Sequence, residues 1–301
     1  MASSKLIDLS ALPLPQLLDN LEYEHLVEQL KSTLSEQNPD ISAVLKLESE
    51  PLTQLLNTFA YHSMLLQGRI NDAVKGNLLA TATSTDLDHI AVRYGVSRLP
   101  QEPDDRFRSR IQQSFHSLNT AGTAESYRYH ALSADSRVKD VHVASPSPCH
   151  VVLTILSYES PNGLPSDGLL NKLKATFGLK ADTVDTVSDV LALQKVRPIG
   201  DRVEIKPVTV KPYTLHAQVQ LAPGPGKAQV KAQVLAKLRD FFAQTGVMGK
   251  AIKRSALFAT LYSSGVEDVV LAAPSENVTV EGHEIPWCEN DIAGVIFEGD
   301  V

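Results

Sequence analysis

A chain of 301 residues with 43% hydrophobic and 21% charged side chains is long enough for two or three domains and can bury a sizeable core. Its 28 basic and 35 acidic residues leave a net charge of -7 without any block of like charge, which argues against a nucleic-acid-binding face. No apolar run approaches the roughly 18 to 20 residues that cross a bilayer, and Met1-Ala2-Ser3-Ser4-Lys5-Leu6 lacks a signal peptide's apolar core, so no membrane partner is predicted.

The chain starts as an extended arm, because Leu12-Pro13-Leu14-Pro15 prevents a continuous helix. From Pro15 to about Ser35, Leu17, Leu18, Leu21, Leu26, Leu30 and Leu34 recur at three- and four-residue steps, which predicts an amphipathic helix stopped by Gln37-Asn38-Pro39-Asp40. After Pro51, Leu52, Leu55, Leu56, Phe59, Leu66, Ile70, Ala73 and Val74 hold a helical stripe to about Lys75-Gly76. A helix of about 26 residues is roughly 40 Å long. A domain of about 100 residues has a radius of gyration near 13 Å, so such a helix exceeds its own core's needs. Two readings stay open: a bundle within the chain with the Leu17 to Leu34 helix, or a stripe that packs partly on another chain.

Thr85 to Tyr127 reads as a rigid joint of three short helices. Thr85 is the predicted cap of the first, with Asp88 reaching back, a stripe of Leu87, Ile90, Ala91 and Tyr94, and Gly95 as the left-handed stop. Asp104 or Asp105 caps the second, whose Phe107, Ile111, Phe115 and Leu118 repeat at helical spacing. The third starts at Gly122-Thr123. Arg106, Arg108 and Arg110, near Arg93 and Arg98, form the local basic concentration, read either as exposed salt bridges or as a charged contact with a neighbouring subunit.

Beyond the joint the period changes to that of strands. Val138 to Val143 and Val151 to Leu156 predict a hairpin turned by Ser145-Pro146-Ser147-Pro148; Pro165 to Phe177 is helical with Gly178 as its stop; Val184 to Leu193 stays ambiguous. Arg202 to Val210 alternates at period two, and its Pro207 marks an edge or a break. A second unit follows: a strand from Tyr213 to Leu221, a helix carrying Val230, Val234, Leu235, Leu238 and Phe242, a helix from Lys250 to Tyr262, and strands at Val269 to Ala272, Asn277 to Val280 and Asp291 to Phe297. The predicted fold is α+β and multidomain: an N-terminal arm and long helices over 1–84, the joint and a first small α/β sandwich over 85–210, and a second over 211–301.

The motifs of catalysis fail one by one. Gly224-Pro225-Gly226-Lys227 precedes a helix, but Leu221 stands where a phosphate loop needs glycine and Ala228 where it needs Ser or Thr. His283-Glu284 is followed by Cys288, and Pro286 forbids the helix of a zincin. Cys149-His150 would point to opposite faces of a strand, and both Cys149 and Cys288 are predicted to be free thiols. Asp182, Asp185 and Asp189 read as a solvated face. None of the nine histidines shows ligand spacing, so no catalytic, cofactor-binding or metal residue is predicted, and the chain is read as not an enzyme.

The wording of Leu87-Asp88-His89-Ile90-Ala91-Val92-Arg93-Tyr94-Gly95-Val96, Asp104-Asp105-Arg106-Phe107-Arg108 and Thr120-Ala121-Gly122-Thr123-Ala124-Glu125 resembles the baseplate protein J family of contractile-tailed phages and R-type bacteriocins. So do Leu47 to Leu52, Arg69 to Ala73, Val138 to Val141, Val196 to Val203 and Gly265 to Glu267, which spreads the resemblance over nearly the whole chain. The resemblance implies a structural subunit of the baseplate wedge, assembled in the host cytoplasm and carried in the virion tail. It also implies the partners: a second copy in the same wedge, neighbouring wedges, a tail protein I-like subunit, the lysozyme-like baseplate protein W, and the central hub and spike. Leu52, Leu55, Phe59, Leu66, Ile70, Arg106, Arg108 and Arg110 are then the candidate assembly residues. Leu87, Asp88, Tyr94, Gly95 and Gly122 are the candidate joint residues, coupling helices to ring domains and so to the contraction trigger. Leu179 to Lys195 is longer than the family pattern. An assembly factor absent from the finished particle, or a cryptic hydrolase, is the alternative.

Overall fold

The computed structural model describes residues 6–13, 15, 22–119, 121–179, 196–198, 200–223 and 226–298. Expectations on Leu14, Leu17, Leu18, Leu21, Thr120, residues 180–195 with Asp182, Asp185 and Asp189, Ile199, Gly224 and Pro225 lie outside the described residues. The fold is α+β and multidomain, with helices first and sheets after. It divides into two compact units, Met1–Arg98 with Glu102–Gln112, and Leu99–Gln101 with Gln113–Val301.

The first unit is helical. α1 (Tyr23–Gln37) packs on α2 (Pro51–Gly76), where Pro51 fills the first turn that needs no backbone donor. The buried residues of α2 are Thr53, Ala60 and Asn71, small or polar side chains that let another element approach closely. α3 (Ser84–Val92) and α4 (Asp104–Gln113) build a separate core of Ala82, Leu87, Ile90, Ala91, Val96, Phe107 and Ile111.

The second unit holds two cores. In the first lobe, β1 (Val138–Ser147) pairs antiparallel with β2 (His150–Ser157), and β2 pairs parallel with β3 (Arg202–Pro207). α5 (Ala124–Ala134) and α6 (Asp167–Thr176) pack with this sheet and bury Tyr127, Leu153, Ile155, Leu173 and Phe177. In the second lobe, β5 (His216–Leu221) lies between β6 (Val266–Ala273) and β8 (Val295–Glu298). α7 (Lys227–Thr245) and α8 (Arg254–Leu261) join that sheet in a core with Leu215, Val219, Val234, Leu238 and Leu257. A parallel pair, β4 (Thr209–Tyr213) with β7 (Glu284–Cys288), lies between the lobes, where Leu156, Val208 and Ile285 cluster.

Several local expectations are corrected. The strand predicted from Asn277 to Val280 is a single bridge, Ile252 to Val278, and the strand lies at Glu284–Cys288 instead. That strand carries Pro286, which can sit where no ladder donor is needed. The alternating run from Arg202 to Val210 is two strands in different sheets, because Pro207 ends β3 and Val208 turns the chain into β4. Phe115 and Leu118 leave the stripe of Phe107 and Ile111 and are exposed, since the α-helix stops at Gln113 and a 3-10 turn over Ser114–Leu118 changes the residues per turn.

Asp135 shows how the first lobe is tied at its edge. The Arg137 guanidinium (2.9 Å) and the Lys172 ammonium (2.8 Å) hold its carboxyl well below the usual carboxylate range. A depressed folded pKa stabilises above the unfolded value, about 3.9, and the contribution fades as pH falls through the folded pKa. Asp135→Asn is expected to cost about 1 to 3 kcal/mol at neutral pH. The urea midpoints of the two proteins should begin to converge as pH falls below about 4 and continue to approach each other as it falls towards the folded pKa.

Candidate functional site

The joint is built around an acid that sequence patterning did not single out. The Glu102 side chain is 0% exposed. Arg106 pairs with it from one turn along α4, and Arg110 grips it with Nε at 3.0 Å and Nη2 at 2.7 Å. Arg110 also donates to the Ser97 carbonyl at 2.6 Å. The Phe107 ring lies beneath two guanidinium groups, Arg98 at 4.6 Å and Arg110 at 5.3 Å from its centroid. Arg108 turns to the chain before α3, with donors to the Leu79 carbonyl at 2.8 Å and the Ala82 carbonyl at 2.7 Å.

The basic cluster is therefore placed inward, against the expectation of an outward contact. Arg106, Arg108 and Arg110 close the core of the first unit, because a buried carboxylate and the loop carbonyls of Leu79, Ala82 and Ser97 need their donors. The signal that could have revealed this was Glu102 itself, four and eight residues ahead of two arginines on a helix.

The predicted capping of α3 is also corrected. Thr85 does not cap it: Ser84 sits at φ +49 and its N–H donates to Asp104 Oδ2 at 2.9 Å. Asp88 does not reach back but takes Arg98 Nε at 2.7 Å, while Arg98 Nη1 binds Asp104 Oδ1 at 2.7 Å. The Ser84 N–H and then Arg98 lower the Asp104 pKa; burial works against the Arg98 charge, but its bonds to Asp88 and Asp104 outweigh that and raise its pKa. Leu87 is fully buried. Tyr94 is exposed rather than on the core stripe, because α3 ends at Val92 and Tyr94 lies in the following turn. Gly95 adopts φ +66, with Gly95 N–H on the Val92 carbonyl (3.1 Å) and Val96 N–H on the Ala91 carbonyl (3.2 Å), the bonding of a Schellman stop.

Gly122 belongs to the second unit and is constrained twice. Its φ is +70, and a Cβ there would lie 2.6 Å from Pro198 Cγ and 2.8 Å from Asp201 Oδ2. Beside it, the Tyr127 hydroxyl donates to Asp201 Oδ2 at 2.6 Å, and burial, reinforced by that carboxylate, pushes the phenol pKa far up. The Arg197 guanidinium donates to the Asp201 carbonyl at 2.8 Å. The stretch around Arg197-Pro198 is thus packed onto the start of α5.

α2 presents the opposite case. Leu55 is 64%, Phe59 59%, Leu66 61% and Ile70 54% exposed, and Leu52 is half-buried. At 100° per residue these positions fall within an arc of about 60°. They form one exposed apolar stripe along the helix.

Chemistry elsewhere is sparse. Cys149 is exposed in the hairpin turn at φ +57, and Cys288 is buried, its thiol pKa raised by burial. A cleft of about 330 Å³ between the lobes is lined by Lys139, Tyr158, Phe242, Trp287 and Cys288 among others, with Lys139 Nζ bonded to the Gly246 carbonyl at 2.9 Å. Among the described residues no group of three or more His, Cys, Asp or Glu could hold a metal ion, and no helix is long and apolar enough to cross a membrane.

The site is thus an inward-pinned joint followed by sheet lobes, with exposed apolar residues along one face of α2. Three family models match in succession: the Baseplate J-like N-terminal domain over 48–105, the Baseplate J-like central domain over 119–207, and the Baseplate J-like protein C-terminal domain over 213–291. The chain is 33% identical over 303 aligned residues to baseplate protein J of Escherichia phage P2, covering 94% of this chain and 95% of that protein. It belongs to the baseplate J family, whose members are structural proteins of tail baseplates. Its place is the tail baseplate, in association with other baseplate proteins. A solved structure of the anti-feeding prophage baseplate is similar at a TM-score of 0.41 and 14% identity, over 64% of this chain and 42% of that chain.

Proposed function

We propose that this chain is a wedge subunit of a contractile-tail baseplate, held in the ring around the hub by its α2 face and its sheet lobes. The carrying observation is the exposed stripe of Leu55, Phe59, Leu66 and Ile70, with Leu52 at its edge, on a helix whose buried side is already occupied. Burial of a Leu or Phe side chain is worth about 1.5 to 3 kcal/mol, so covering this stripe is a substantial driving force for assembly. The covering partners in this reading are a second copy of the chain and a tail protein I-like subunit. The sheet lobes face neighbouring wedges, a protein W-like subunit and the hub and spike. Leu87, Asp88, Tyr94, Gly95 and Gly122 form the stretch that carries the chain from the first unit into the second, and in this reading a stiff stretch passes the contraction trigger between bundle and ring.

Of the two alternatives, a hydrolase would require an ordered metal or a reactive nucleophile, and an assembly factor is separated by experiment. Stoichiometric presence of the chain in purified, contraction-competent tails supports the wedge reading; loss during maturation supports the assembly factor. Phe59→Asp and Leu66→Asp sit on exposed positions, so each is expected to give a folded chain by circular dichroism that enters no particle. Particles of normal yield from both variants would defeat the interface reading.

A further inference from the structure

The α2 stripe contains two positions that the apolar reading does not account for, His62 and Arg69, and of these Arg69 carries a permanent charge. Leu52, Leu55, Phe59, His62, Leu66, Arg69 and Ala73 succeed one another at steps of three and four, the seam spacing of a helix pair. Arg69 is exposed, flanked on the seam by Leu66, Ile70 and Ala73. Among the described residues it makes no ion pair, and Asp72 on the next turn does not reach it. A helix that covers Leu66 and Ile70 also covers the guanidinium, and an arginine taken out of water without a counter-charge costs several kcal/mol.

A second copy of α2 does not supply that counter-charge. A parallel, in-register pair sets Arg69 against Arg69. An antiparallel pair that covers the whole stripe sets Arg69 against Leu56, with Leu55 and Asn57 beside it and no carboxylate in reach. The antiparallel register that does bring the partner's Asp72 to Arg69 overlaps only the last part of the helix and leaves Leu52, Leu55 and Phe59 uncovered. α1 carries carboxylates, but its Leu26, Leu30 and Leu34 are half-buried on a helix already packed on α2, so it offers a second copy no apolar stripe.

We infer that the Leu66 to Ala73 end of this seam is covered by a helix of a different chain, one with an apolar stripe interrupted by an Asp or Glu that pairs with Arg69. This rests on the wedge reading and sharpens it: apolar burial drives docking on this face, and Arg69 selects the partner. A second copy is then confined to the Leu52 to Phe59 end of the stripe and to other surfaces of the chain.

The test uses purified tails carrying Arg69→Lys, treated with a carbodiimide that joins an amine to a contacting carboxylate, followed by mass spectrometry of the cross-linked peptides. The expected product links position 69 to an Asp or Glu on an amphipathic helix of another baseplate subunit. A link from position 69 to a second copy, or none in assembled tails, overturns the inference. In parallel, Arg69→Glu is expected to reduce co-purification of that cross-linked subunit at least about thirtyfold, as loss of a buried charge partner does. If Leu66→Asp abolishes capture while Arg69→Glu leaves it unchanged, the carboxylate inference fails and the wedge interface stands. If neither changes capture, the α2 interface itself is wrong.

Discussion

Glu102→Ala is expected to lower the stability of the first unit by about 3 to 5 kcal/mol, the cost of removing one partner from a buried ionic cluster. The carboxylate is wholly enclosed, and its loss leaves Arg106 and Arg110 without their shared counter-charge in a low-dielectric site. Arg110→Ala attacks the same cluster from the other side and should cost less, because Arg106 still neutralises the acid. Denaturation monitored by circular dichroism should show an early transition in Glu102→Ala, with the second unit melting near its usual midpoint. A single unshifted transition would show that the cluster contributes nothing to stability.

Gly122→Val should be far more damaging than Gly95→Val, although both glycines sit at positive φ. At Gly95 a Cβ meets nothing within 4 Å, so the cost is the left-handed conformation alone, about 1 to 2 kcal/mol. At Gly122 the same conformational cost adds to a collision with Pro198 and with the carboxylate that holds Tyr127, and overpacking of that kind costs about 1 to 3 kcal/mol more. Unfolding midpoints of the second unit should fall in that order. Particle yield should follow: strongly reduced for Gly122→Val and nearer normal for Gly95→Val. Equal effects from the two would mean that the Pro198-Asp201 packing is not what fixes the start of α5.

Local periodicity made much of this fold readable, and its failures have physical causes. α2 was legible to its ends because Pro51 and the leucine spacing act within the helix itself. Gly178 ends α6 at φ +71 for an equally local reason. Tertiary pairing was not legible. Asp104 caps a helix that begins twenty positions earlier, and Glu102 gathers arginines that look like a solvated row when read along the sequence. β7 escaped because Pro286 and the His283-Glu284 pair disguise a strand whose existence depends on β4, more than seventy residues before it. The apolar stripe of α2 is visible as a pattern, but which of its residues stay exposed beside α1 depends on tertiary packing.

The proposed cover of the α2 face by other baseplate subunits is open to multi-angle light scattering, on this chain alone and then co-expressed with the tail protein I-like and protein W-like subunits of the same particle. The expected result is a complex that contains two copies of this chain, forms only when those partners are present, and is lost in Leu66→Asp. A chain that stays monomeric in the presence of both partners would contradict it.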